Sequence, residues 1–298
     1  MLVRNCDWLS LCYVLYAIVA IEARIILNKL CEPFSQEITR QCYRKDTLIS
    51  VPHSPNQIAV DSSNNLYFSF DSGQGEYVPA KKNIGNKTIS VLKGIKDAFA
   101  IAADRTSGLV YFGGSHGIYK YDPALRILKR LAVPNLDIWW LVVKTDIYFI
   151  KFPSLSAYWY HNRTLKYVYA LKNHNVHQFV FDIAENIYFI NSTGLYGIKN
   201  GDTNAHLLRS TPRFLGISTD RVGHVYVCSE EGIFLISPLV QKVKRIVNIQ
   251  GVLGMTFDND NNIIYSDSHD IVRLVPFGSE TNLLFYLRHK HFTLTQFN

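Results

Sequence analysis

The sequence lacks most of the short motifs that announce an enzyme. It has no His-Glu-X-X-His pair and no phosphate-binding glycine loop, and no serine is read on a strand-to-helix elbow, so no zinc-peptidase, nucleotide or esterase signature organises it. Long apolar runs are missing too, apart from Trp8 to Ala20 near the start. That run is shorter than the about 20 apolar residues a membrane span requires. With Arg4 ahead of it and the small residues Ala20 and Ala23 behind, Met1 to Ala23 reads as a secretory signal peptide, an uncleaved anchor being the alternative. No block of basic residues is interleaved with aromatics, so the net charge of +7 reads as a solvated basic surface and not as a nucleic-acid groove. Cysteine is sparse. Two of the five, Cys6 and Cys12, fall in the leader, which leaves Cys31, Cys42 and Cys228 and room for a single disulfide.

What is abundant is aromatic residues, 13% of the chain, and they recur in register. Ala98 to Asp122 shows the unit: an apolar run ending in Asp104, a turn with Gly108, an aromatic strand Leu109 to Phe112, and a third strand from Gly117 to Tyr121. Short strands joined by tight polar turns read as an antiparallel meander. The pattern repeats at Pro55, Asp137, Val176, Arg213 and Gly251, and places second-strand tyrosines at Tyr67, Tyr111, Tyr148, Tyr188, Tyr226 and Tyr265. A period of roughly 40 residues with strands in every repeat is the mark of propeller blades. The predicted fold is therefore all-β, one six-bladed β-propeller.

Closure of the ring is also predicted. Basic, apolar outer strands such as Ile127 to Val133 and Val243 to Ile249 precede later repeats, and Arg44 to Val51 has the same form ahead of blade one. It is read as the N-terminal strand closing the last blade, which removes unpaired sheet edges. The expected organisation is a signal peptide (1–23), an N-terminal arm (24–43), the propeller (44–277) and a C-terminal tail of uncertain order (278–298).

Cys31 with Cys42 is the economical disulfide, because both precede the first blade, although either could pair with Cys228 instead. Cys228, on a second strand, reads as a buried free thiol. Asn86, Asn162 and Asn191 head Asn-X-Thr sequons between predicted strands and are the expected glycosylation sites in an exported chain.

Propellers bring the first strand of each blade to a central channel, so the residues four and five places before each turn acid are the ones to inspect for a site. They yield Gln57, Phe99, Trp139, Trp140, His177 and Gln178, with Phe214 beside them, as candidate ligand-binding residues. No carboxylate is among them, which argues against a calcium-dependent lactonase, since calcium needs several hard oxygen ligands converging on one point. Asp61, Asp104, Asp182, Asp220 and Asp258 recur once per blade and read as turn acids. No catalytic residue, metal site or cofactor is expected. Trp139 and Trp140 point to opposite strand faces. They are read either as inter-blade core, or as one packed indole and one stacking platform for a planar ligand held by Gln57, Gln178 or His177.

The runs HSPNQIAVDSSNNLYFSF, AIAADRTSGLVYFGGSHGIYKYD, NLDIWWLVVKTDIYF and NIYFINSTGLY, in that order, resemble the ommochrome-binding proteins of lepidopteran haemolymph. The resemblance covers roughly Cys31 to Phe277. It implies a secreted, extracellular and non-enzymatic carrier of a small planar aromatic ligand, a phenoxazinone pigment derived from tryptophan breakdown, acting as a monomer without nucleic-acid or membrane partners. Trp139 corresponds to the family's tryptophan in an Ile-Trp pair, whereas Trp140 replaces a polar residue of that pattern. The alternatives from other classes are the lactonase-like hydrolase and a protein-binding propeller. The wider propellers of the YWTD and NHL type share the blade spacing.

Overall fold

The computed structural model describes residues 16, 42–50, 57–73, 75–86, 88–95, 97–133, 136–237 and 242–277. The leader read at 1–23, most of the arm, the tail at 278–298 and the pairing of Cys31 with Cys42 lie outside the described residues, Cys42 being described by its backbone alone. Residues 45–274 form one compact unit. A second comprises 1–44 and 275–298, of which Tyr16, 42–44 and 275–277 are described.

The fold is a six-bladed β-propeller of four-stranded antiparallel sheets. β1 (Cys42–Ser50) comes first, and blade one follows as β2 (Ala59–Val60), β3 (Asn65–Asp71), β4 (Tyr77–Asn83) and β5 (Ile89–Val91). Blade two is β6 (Ala100–Asp104), β7 (Leu109–Gly114), β8 (Gly117–Asp122) and β9 (Ile127–Arg130). Blade three is β10 (Asp137–Val143), β11 (Ile147–Phe152), β12 (Ser156–His161) and β13 (Thr164–Tyr167), with a single 3-10 turn at Tyr169–Leu171 behind it. Blade four is β14 (Gln178–Phe181), β15 (Ile187–Asn191), β16 (Gly194–Ile198) and β17 (His206–Arg209). Blade five is β18 (Phe214–Thr219), β19 (Val225–Ser229), β20 (Gly232–Ser237) and β21 (Lys242–Val247). Blade six supplies only β22 (Gly254–Phe257), β23 (Ile263–Ser266) and β24 (Asp270–Phe277), and β1 completes it as the outermost strand. The expected closure is therefore the observed one.

The turn acids explain why the first two strands of a blade meet where they do. Asp61 Oδ1 accepts the amides of Ser63 and Asn65, each at 2.9 Å, while Oδ2 accepts from Asn65 Nδ2 and the Tyr67 hydroxyl. Asp182, Asp220 and Asp258 repeat the clasp on the amides two and four residues ahead. Each clasp winds the residue between into the left-handed region, at Asn64 (φ 61°), Glu185 (φ 63°), Gly223 (φ 91°) and Asn261 (φ 63°). Blade three has Lys144 in place of the acid and a shorter turn, closed by the Lys144 amide on the Asp146 carbonyl at 3.0 Å.

Packing between blades comes from the second strands. Tyr67 and Tyr265 are fully buried, Tyr111 and Tyr188 nearly so, and Tyr148 and Tyr226 are partly exposed. Tyr67 meets Phe112 of the next blade edge-on at 6.1 Å, an arrangement that adds about 0.5–1.5 kcal/mol to area burial. At the closing seam Leu48 and Ile49 of β1 join one apolar cluster with Ile58, Leu66 and Phe68 of blade one and Ile264 and Ile271 of blade six. Polar contacts fix the register: Arg273 donates to Asp46 through Nη2 at 2.6 Å, and the buried Lys82 donates to the Leu48 carbonyl at 2.7 Å. Burial pushes the Lys82 ammonium below its ordinary range, while Asp46 acts to raise it.

Blade five packs on blade six through a glycine. A methyl group on Gly216 would stand 2.7 Å from Cys228 Sγ and 3.3 Å from both Gly254 Cα and the Leu253 carbonyl oxygen. Gly216→Ala is therefore expected to lower stability by about 1–3 kcal/mol in urea denaturation, the usual cost of overpacking. Adding Cys228→Ala should recover part of that loss, because the new methyl then occupies the space of the sulfur. The double variant should lose less than the sum of the two singles.

Candidate functional site

The innermost strand of each blade is paired on one edge only, and its other edge faces the channel. Backbone groups on that edge need partners. Side chains supply several of them. Gln57 donates through Nε2 to the Leu141 carbonyl at 3.0 Å and accepts the Ile101 amide on Oε1 at 2.9 Å, so one amide joins blades one, two and three. Gln178 does the same between blades four and five, donating to the Leu215 carbonyl at 3.0 Å and accepting the Ile217 amide at 3.1 Å. The Trp140 indole donates to the Phe179 carbonyl of blade four at 2.9 Å. Two bulges set these contacts up: β10 slips register between Ile138 and Trp140, and β18 between Phe214 and Gly216.

A cavity of about 350 Å³ lies within the ring. That is within the range of roughly 300–1,000 Å³ usual for small-molecule pockets. It runs from the middle of the inner strands to the turns that follow them. Its inner part is lined by Gln57, Ile101, Trp140, Leu141, Val180 and Met255, its turn end by Asp104, Arg105, Lys144, Ser218, Asp220 and Arg221.

Of the seven residues read as ligand-binding, Gln57 and Trp140 line this cavity. Phe99 and Trp139 stack at 4.5 Å near the opposite ends of the inner strands, Trp139 continuing onto Phe152 at 5.7 Å and Phe99 meeting Tyr77 edge-on at 5.0 Å. Phe214 is buried edge-on against Phe234 at 5.7 Å. His177 is half-buried, and burial, then the charge of Arg213, hold its pKa below the ordinary 6.5. Trp139, Trp140 and Gln178 are not gathered on one point. The Trp140 indole is turned to blade four, the Gln178 amide to blade five, and Trp139 lies in its own aromatic stack.

Sequence inspection passed over the turn-end cations. Arg105 and Arg221 directly follow the turn acids Asp104 and Asp220, so an extra look one residue past each acid finds them, and Lys144 stands in the acid's own place in blade three. Arg105 crosses to blades one and six, donating from Nε to the Val60 carbonyl at 3.3 Å and from Nη2 to the Phe257 carbonyl at 2.5 Å. Also passed over is Gly113-Gly114-Ser115-His116-Gly117, which spells the letters of a nucleophile elbow. It is the hairpin between antiparallel β7 and β8, with Ser115 Oγ 2.7 Å from His116 Nδ1 on an exposed turn and no helix following.

Among the described residues no three His, Cys, Asp or Glu are grouped to hold a metal ion. Cys228 is a free, fully buried thiol whose pKa burial pushes up to about 12, which makes it a poor nucleophile. Asn86 and Asn162 lie on exposed turns, and Asn191 is partly buried, its Oδ1 accepting the Thr193 amide at 2.9 Å. No helix among the described residues is long and apolar enough to cross a membrane.

No family model matches the chain. The ommochrome-binding protein of Manduca sexta is 27% identical over 243 residues, spanning 78% of this chain and 88% of that protein. The chain thus resembles the ommochrome-binding proteins over most of its length, as its ordered segments imply. Among solved structures, a gluconolactonase from Xanthomonas campestris superposes with a TM-score of 0.67 at 14% identity, covering 84% of this chain and 95% of that one. Streptogramin B lyase gives a TM-score of 0.53 at 12% identity, covering 79% and 98%. At such identities these two share the fold alone.

The two neighbouring indoles should separate in a stability experiment. Trp140→Ala empties a buried site and orphans the Phe179 carbonyl, for an expected loss of about 3–5 kcal/mol in urea denaturation. Trp139→Ala, which gives up a partly exposed stack, should cost clearly less. His177 makes a separate prediction in pH. With its folded pKa below the unfolded 6.5, the unfolded chain binds the extra proton first, so stability is full above 6.5 and falls as pH drops toward the folded value. His177→Gln should flatten that part of a melting-temperature profile, and an unchanged profile would remove His177 as its cause.

Proposed function

We propose that this chain, a relative of the ommochrome-binding proteins, is a secreted, non-enzymatic carrier that holds a planar ommochrome-type pigment in its channel cavity. The observation that carries the reading is the cavity itself, lined by Trp140, Ile101, Leu141, Val180 and Met255 toward the middle of the inner strands and by polar residues at the turns. The apolar part of the lining rewards a flat aromatic body at about 25 cal/mol per Å² removed from water, and the larger polar part offers hydrogen bonds. The Trp140 ring is held in place by its bond to the Phe179 carbonyl and needs no ordering when a ligand arrives. Gln57 fixes the neighbouring strands in the same way.

Phe99, Trp139, His177, Gln178 and Phe214 support the pocket from the other ends of the inner strands, with the Phe99–Trp139–Phe152 stack as a second flat aromatic surface. In this reading the leader at 1–23 directs export, and the exported chain works as a monomer with glycans on Asn86, Asn162 and Asn191 and a disulfide between Cys31 and Cys42.

Titration of the purified protein with xanthommatin should shift the pigment's visible absorbance and quench indole fluorescence. Ser218→Trp, which places an indole into the cavity from a partly exposed position, should weaken binding at least ten-fold while the melting curve stays in place. A parent protein that binds no pigment would sink the proposal, and calcium-dependent turnover of a lactone would put the hydrolase reading in its place.

A further inference from the structure

The outer half of blade three brings two phenols together. β12 and β13 are joined by the two residues Asn162 and Arg163, both in the left-handed region (φ 47° and 62°), which is the tight hairpin turn whose twist matches that of its strands. The turn sets the register: His161 faces Thr164, and three pairs further on Tyr158 faces Tyr167. The Tyr158 and Tyr167 rings lie with centroids 4.4 Å apart and planes 32° from parallel, at the short end of the about 4.5–7 Å usual for aromatic pairs. Behind them the buried Phe149 stacks on Tyr158 at 5.7 Å, so the inner phenol is held from one side and covered by Tyr167 on the other. Burial, then the neighbouring Tyr167 hydroxyl, push the Tyr158 phenol up to about 12. Tyr167 is 51% exposed, so a reagent in solution reaches the outer ring of the pair. Neither ring lines the channel cavity.

We infer that Tyr158 and Tyr167 form an oxidative cross-linking site, at which a peroxidase-type oxidant joins the two rings as dityrosine. Hydrogen peroxide, used by a peroxidase, takes one electron and one proton from each phenol and is reduced to two waters. The two tyrosyl radicals then join through a ring carbon beside each hydroxyl, and the hydrogens displaced from those carbons move to the oxygens, which restores both phenols. Two reactants already held in contact need no encounter, so coupling within the hairpin outruns coupling between chains. By contrast Tyr67 and Tyr121 meet edge-on at 6.4 Å, with Tyr67 fully buried and its hydroxyl donating to Asp61. The new bond would fasten β13, the outermost strand of blade three and only four residues long, to the strand beside it.

The test treats the whole chain, at low protein concentration, with horseradish peroxidase and limiting hydrogen peroxide. The parent should gain dityrosine fluorescence while remaining a single chain on a denaturing gel. Peptide mapping should find the segments around Tyr158 and Tyr167 joined, with the loss of two hydrogens. Tyr158→Phe and Tyr167→Phe each keep a ring in the stack and remove one phenol, so each should lower the fluorescence gain at least five-fold with the melting curve in place. Tyr169→Phe, which alters a more exposed tyrosine next to the hairpin, should leave the gain as it was. A parent that forms no dityrosine would overturn the inference. So would a link that maps to other tyrosines, or one that persists in both hairpin variants.

Discussion

An inner strand of a propeller has one edge with no neighbouring strand, and much of the channel is organised by the need to satisfy it. An open strand edge is a template for pairing with any passing chain, and at the centre of a ring no further strand fits. Here the answer is side-chain chemistry. Two glutamine amides imitate a peptide unit, each donating to a backbone carbonyl and accepting from a backbone amide, Gln57 in two different blades and Gln178 in one. An indole and a guanidinium complete other carbonyls in adjacent blades. These bonds run from blade to blade, so they hold the ring as well as finish its strands.

The outer rim solves the opposite problem. A ring assembled from six separately folded blades would leave two faces wet at its seam, and the apolar cluster formed by Leu48, Ile49, Leu66 and Ile264 shows what would be exposed there. Because β1 is the first described strand and blade six the last, closing that seam ties the two ends of the ring sequence in a single step. Lys82 and Arg273 then choose the register from the two sides, one through a backbone carbonyl and one through Asp46. A buried ammonium is an expensive way to set register. Its use at this seam fits a place where a slip of one residue would turn Leu48 or Ile49 outward.

The fold was legible because its information repeats. A turn acid, a left-handed residue and an aromatic second strand recur in register, and a reader who misses one blade finds the others. The candidate site was legible only in part, for a physical reason. Gln57, Gln178 and Trp140 were picked out as polar or aromatic residues facing the channel; in the structure each spends its side chain on a neighbouring blade's backbone, and residues that complete an inner edge have the same composition as residues that hold a ligand. Pattern also favoured the starts of the inner strands, where Phe99 and Trp139 stack, while the cavity lies toward their ends. Arg105 and Arg221 escaped notice because an arginine after a turn acid looks like ordinary surface until the fold shows that Arg105 turns inward across blade one.

Those same turns decide what the channel's acids are free to do. A cation-binding propeller must spare several carboxylates from structural duty and aim them at one point. In this chain the acid of each clasped turn spends its oxygens on its own amides: Asp61 on three backbone or side-chain nitrogens and a phenol, Asp258 on two amides and the Asn262 side chain with Arg273 behind it. Burial works against the charge on Asp220, yet hydrogen bonds from the His224 side chain and amide, Asn261 and the Val222 amide hold its pKa below the usual carboxylate value, so it stays ionised without being free to coordinate. The cations nearby are held as well, Arg105 by the Val60 and Phe257 carbonyls, Arg221 by Asn259 Oδ1 and Lys144 by Glu185. A channel whose turn acids are spent on their own amides has, among the described residues, no group of carboxylates free to gather round one cation, and that constraint arises from the clasp that makes the blades.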